Sequence, residues 1–126
     1  MQAKKLGELG ESLAVERLES EGYRIRERNW RVPEGEIDII AEEEGMIVFV
    51  EVKTRASRTY GLPEESITAG KRKRLIKAAY AYLSAHEIYE TDWRFDLIAI
   101  ETTKTGIVQR WDHYVDVIEA EQGDFC

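Results

Sequence analysis

A chain of 126 residues, 43% hydrophobic and 34% charged with a formal net charge of −7, has the composition of an ordinary soluble globular protein and the length to enclose a core. The longest apolar run, Met46 to Val50, is far too short to span a bilayer, and the N-terminal MQAKKLGELGE lacks the apolar stretch of a secretory signal. The single cysteine, Cys126, excludes a disulfide framework and a cysteine metal site, so one domain over residues 1–126 in the cytoplasm, with no membrane partner, is the expectation.

The net charge alone argues against a nucleic-acid partner, but its distribution softens that argument. Residues 1–23 are net −2, residues 24–77 net +2 and residues 78–126 net −7, so the basic side chains gather in the middle of the chain. In chain order, Leu6, Leu9, Leu13, Ala14 and Leu18 recur on one helical face and predict a helix over 6–21, ended by Gly22. YRIRERNWR (23–31) alternates as a half-exposed strand, and VPEG (32–35) is a turn. Residues 36–41 and 46–54 are the next two strands, and 55–66 is a loop. Leu75, Ile76, Ala79, Tyr82 and Leu83 predict a second helix over 68–86. WRFDLIAIE (93–101) is a fourth strand, and 106–118 contains a fifth. This α-β-β-β-α-β-(β) order is that of a mixed α/β sheet with helices packed on it, and the acidic segment 102–126 is expected to be peripheral.

The stretch GEIDIIAEEEGMIVFVEVKTR (35–55) places Asp38, Glu51 and Lys53 inside apolar strands. Strand alternation puts Glu51 and Lys53 on one face. A two-residue turn at Glu44-Gly45 pairs Glu43 with Met46 and, counting back, Asp38 with Glu51 and Glu36 with Lys53. Directly opposed carboxylates repel unless a cation lies between them, and hard divalent ions favour such oxygens. In the plainer alternative Lys53 bridges to Glu36, and Asp38 caps a loop or faces solvent. Glu11 falls beside Ala14 and Leu18 at the edge of the helical apolar stripe, where an acid can reach a metal or simply meet solvent. No zinc-ligand spacing, phosphate-binding glycine loop or serine–histidine arrangement is present, and His86 and His113 stand apart.

The segments Gly10-Glu11-x-x-Ala14, Asn29-Trp30-Arg31, Gly35-Glu36-Ile37-Asp38, Phe49-Val50-Glu51-Val52-Lys53-Thr54-Arg55 and Arg94-Phe95-Asp96 resemble, in order and spacing, the YraN-like family of small bacterial proteins. The resemblance covers residues 7–100. That family is similar to the PD-(D/E)xK nuclease superfamily, which includes archaeal Holliday-junction resolvases and restriction endonucleases and has an α-β-β-β-α-β core. The resemblance implies a restriction-endonuclease-like mixed sheet and a Mg²⁺- or Mn²⁺-dependent DNA endonuclease acting on branched or single-stranded DNA. It implies metal ligation by Asp38, Glu51, the Val52 carbonyl and Glu11, with Lys53 as the catalytic lysine. Because resolvase-like members are usually dimers, it also implies a homodimer.

Arg55 and Arg58 follow the motif, and Lys71, Arg72, Lys73 and Arg74 open the second helix, where cations oppose the helix dipole unless an anion meets them. Arg55, Arg58, Lys71, Arg74 and Arg31 are therefore the candidate phosphate contacts, although Glu64 and Glu65 stand near enough in sequence to offset some of that charge. Trp30, among arginines, is a candidate for base stacking or for packing. The alternative function is a non-catalytic nucleic-acid-binding or adaptor protein that keeps the fold and offers its acidic C-terminal segment to a protein partner.

Overall fold

In a computed structural model that describes residues 2–118, Leu6, Gly10, Ala14 and Leu18, spaced by four, form the buried edge of helix α1 (Ala3–Ser20). Then follow β1 (Arg24–Val32), β2 (Gly35–Glu43), β3 (Met46–Arg55), a 3-10 turn at Pro63–Ser66, α2 (Ala69–Ala85), β4 (Trp93–Thr102) and β5 (Val108–Tyr114). The five strands lie side by side in chain order. β3 and β4 run parallel and the other neighbours antiparallel, so α2 is the crossover that the parallel pair requires. This is the mixed sheet and α-β-β-β-α-β order of a restriction-endonuclease-like fold. Among the described residues, no helix is long and apolar enough to cross a membrane.

The helices cover opposite faces. Ala14 and Leu18 of α1 pack on Ile39, Ala41, Val48, Val50, Ile98 and Ile100. Leu75, Ile76, Ala79 and Tyr82 of α2 pack on Ile37, Ile40, Ile47, Phe49 and Phe95. Trp30 belongs to the second layer, edge-on to Tyr82 with ring centroids 5.4 Å apart, so its role is packing. Thr68 caps α2 by accepting the Lys71 backbone N–H at 3.2 Å.

β3 meets β2 through a two-residue turn in which Glu44 (φ 48°) and Gly45 (φ 81°) both occupy the left-handed region, as a type I′ hairpin requires. Glycine takes that conformation freely, whereas glutamate is strained in it. Glu44→Asn is therefore expected to stabilise the chain by about 0.5 kcal/mol, read as a higher urea midpoint at unchanged slope.

Two details depart from the expected pattern. The β1 register shifts between Ile25 and Glu27, and the intervening Arg26 donates to the Tyr82 hydroxyl at 2.8 Å and pairs with Glu42 at 2.7 Å instead of alternating outward. The β2–β3 ladder runs from Glu43↔Met46 to Ile39↔Val50 and stops there. Ile37 and Ile40, three residues apart, both lie in the α2-side core, so strict alternation fails just where Asp38 stands. Residues 119–126, with Cys126 and the end of the acidic segment, lie outside the described residues. Within that segment β5 forms an edge of the sheet.

Candidate active site

The turn chemistry that fixes the β2–β3 register brings Asp38 and Glu51 to the same end of the sheet. They are not held as a cross-strand pair, because the ladder has ended. Instead the Val52 N–H donates to Asp38 Oδ2 at 2.8 Å, and the side chain takes up a backbone donor. Both carboxylates border two clefts. One, of about 410 Å³, is lined by Glu11, Asp38, Glu51, Val52, Lys53 and Arg55 together with neighbouring residues of α1 and the 55–60 loop. The other, of about 290 Å³, is lined by Gly35, Glu36, Asp38, Glu51, Lys71, Arg74 and Leu75.

The electrostatics follow from burial. Glu51 is only 8% exposed. Burial, and then the Glu51 carboxylate, push the Asp38 carboxyl up to about 7, against the opposing pull of the Val52 N–H and Lys71. Burial, followed by Arg55 and Lys71, lowers the Lys53 ammonium from its ordinary value. Burial and Asp38 raise Glu11, while a hydrogen bond from Asn29 opposes them. Asp38 is therefore the carboxyl whose charge the folded site holds at a cost.

Lys71, expected to reach for phosphate, instead donates to Glu51 Oε1 at 2.6 Å. The first turn of α2 thus supplies the principal counter-charge to the buried carboxylate. Arg74 lines the same cleft and is exposed. Arg55 lines the larger cleft, and its Nε is buried with no hydrogen-bond partner among the described residues. Arg31 pairs with Glu36, its neighbour across β1 and β2, at 3.4 Å, and Glu36 does not stand opposite Lys53 because the β2–β3 ladder has ended. Arg58 is turned away, donating to both carboxylate oxygens of Glu101 at 2.8 and 3.1 Å. Glu64 pairs with Arg110, and Glu65 accepts the Leu62 N–H.

Gly10 sets the distance between α1 and β3, since a Cβ there would collide with Thr54 Oγ1. Gly10→Ala is expected to destabilise by about 1–3 kcal/mol through overpacking, measured by urea denaturation. Asn29, at φ 51°, stands in the Asn29-Trp30-Arg31 segment, but its role carries no sequence signal; its contact with Glu11 spans two elements that no local pattern connects.

Among the described residues, no group of three or more His, Cys, Asp or Glu side chains forms a ready-made cage for a metal. The oxygen donors fit a hard divalent ion nonetheless. Two carboxylates share one cleft, burial and the neighbouring Glu51 disfavour the charged form of Asp38, and Mg²⁺ commonly completes its shell with water rather than protein.

The chain matches the model of a family described as uncharacterised protein family UPF0102 over residues 10–100. A UPF0102 protein of Chloroflexus aurantiacus is 46% identical over 116 residues, covering 91% of this chain and 93% of the relative. One of Myxococcus xanthus is 41% identical over 97 residues, 77% of each chain. One of Dictyoglomus thermophilum is 36% identical over 116 residues, 92% of this chain and 98% of the relative. The chain belongs to the UPF0102, or YraN-like, family.

Proposed function

We propose that the protein is a Mg²⁺- or Mn²⁺-dependent DNA endonuclease of the PD-(D/E)xK type. The observation that carries this reading is the convergence of Asp38, Glu51 and Lys53 on one cleft at one end of the sheet, where burial and Glu51 disfavour the Asp38 carboxylate. Asp38, Glu51 and the Val52 carbonyl would hold the ion, with Glu11 at the edge of the shell. When bound, the ion would polarise the scissile phosphate and acidify a water. Lys53, which lines the same cleft, would donate to a phosphate oxygen or to the attacking water, and its partial desolvation would strengthen that interaction. Arg55 and Arg74 border the two clefts and are the side chains best placed to grip the flanking phosphates.

The Lys71–Glu51 ion pair favours a second reading, a nucleic-acid-binding protein without cleavage, because an ammonium already answers one of the carboxylates. Cleavage of branched, single-stranded and duplex oligonucleotides with Mg²⁺ or Mn²⁺ separates the two. The nuclease reading expects metal-dependent products that vanish in Lys53→Ala. DNA bound but intact across the panel, with no Mn²⁺ heat in calorimetry, establishes the binding protein instead.

A further inference from the structure

We propose that Tyr60 is a stacking platform for one unpaired nucleotide base, so that the larger cleft selects single-stranded or frayed DNA over intact duplex. The inference rests on the nucleic-acid reading above. Tyr60 lines the cleft that holds Asp38, Glu51 and Lys53, yet its side chain is 85% exposed. Among the described residues nothing packs on or hydrogen-bonds its ring, so the fold gains little from an aromatic here.

The ring is presented on a fixed turn. Gly61 N–H donates to Arg58 O at 3.1 Å, and Gly61 takes φ 93°. On one side the Arg58 guanidinium is anchored to both oxygens of Glu101, and on the other the Leu62 N–H donates to Glu65 Oε1 at 2.7 Å. The turn fixes the backbone that carries the ring, so only the two side-chain torsions of Tyr60 remain to be ordered when something stacks on it.

Other walls of the same cleft suit this use. Ala3, Leu6 and Gly7 of α1 line it beside Glu11, Asp38, Glu51, Lys53 and Arg55, so the lining is part apolar and part ionic. A volume of about 410 Å³ is within the range of small-ligand sites. One nucleotide divides in the same way, with an apolar base face for the ring and the apolar lining and a phosphate for the ionic groups. A base inside a duplex has both faces covered by its neighbours, whereas an unpaired base has a face to offer.

The test is fluorescence anisotropy of labelled oligo-dT and of a blunt duplex, in Ca²⁺ buffer, with wild type, Tyr60→Ala and Tyr60→Phe. The alanine variant is expected to weaken oligo-dT binding about tenfold and to change duplex binding by less than about twofold, while phenylalanine stays near wild type. Equal losses on both DNAs, or no loss on oligo-dT, overturn the stacking proposal. If wild type cleaves or binds DNA while Tyr60→Ala matches it on oligo-dT, only the stacking falls. If wild type binds neither DNA, the nucleic-acid reading falls with it.

Discussion

Asp38→Asn is expected to lower metal-dependent cleavage by at least about 100-fold while making the metal-free protein more stable at pH 8. Burial and Glu51 raise the folded Asp38 carboxyl to about 7 from an ordinary 3.8. The folded chain therefore binds more protons than the unfolded chain between these values. Stability falls as pH rises through that window, and the full penalty applies above about pH 7. Asparagine removes the charge and keeps an oxygen that can accept the Val52 N–H. The gain at pH 8 is then of order 2–4 kcal/mol, since each tenfold change in an acid dissociation constant is worth about 1.36 kcal/mol. Near pH 4 the two proteins converge, because Asp38 is then largely neutral in the folded state. Mg²⁺ at 100 times its dissociation constant should stabilise wild type by about 2.7 kcal/mol, offsetting most of that difference, and leave the variant unmoved. Urea midpoints at pH 4 and pH 8, with and without Mg²⁺, check each arm. A variant that is less stable at pH 8, or one that still cleaves, contradicts the assignment of Asp38.

The second large effect lies away from the cleft. Asp96 is 1% exposed and sits on β4. It accepts from Arg94 at 3.0 and 3.2 Å, lies 2.7 Å from His113 Nε2, and accepts the Asp116 N–H at 3.0 Å. Arg94 also donates to Tyr23 and Glu43, so the cluster ties the α1–β1 connection, the β2–β3 hairpin, β4 and β5 together. Burial would raise the Asp96 carboxyl, but the hydrogen bonds from His113, Arg94 and Asp116 outweigh it and hold the group below its ordinary 3.8. The stability it contributes is thus present above the unfolded value and is lost as pH falls through the folded one. Asp96→Ala leaves Arg94 with a buried, half-answered charge and should cost about 3–5 kcal/mol, visible as a lower urea midpoint at pH 7. Because the cluster lies outside the cleft, the folded fraction should retain metal binding. A loss below about 1 kcal/mol would show that Glu43 and Tyr23 satisfy Arg94 on their own.

These two residues also mark what the sequence discloses and what it hides. The β2–β3 register was legible because it depends on a period of two and on one Glu-Gly turn, both local. The helices were legible for the same reason: their apolar spacing is uninterrupted, and each is bounded within a few residues of 6–21 and 68–86. The counter-charge on Glu51 was not legible. Lys71 reaches it only because the crossover sets the first turn of α2 beside the end of β3, a placement that charge patterning along α2 cannot reveal. The end of the ladder at Ile39 was hidden too, since register counting assumes that pairing continues. The resemblance drew attention to Arg94-Phe95-Asp96, but His113 and Asp116 complete that cluster from the far side of the β4–β5 turn. Arg58 looked available from its position after the motif, and only the parallel β3–β4 pairing shows Glu101 waiting for it.

The most direct test of the central claim is a crystal structure of the protein soaked in Mn²⁺, with the ion located by anomalous scattering. A peak is expected between the Asp38 and Glu51 carboxylates, bordered by the Val52 carbonyl, with the Lys71 ammonium moved off Glu51. No peak there, with the Lys71–Glu51 pair intact at saturating Mn²⁺, would contradict that claim.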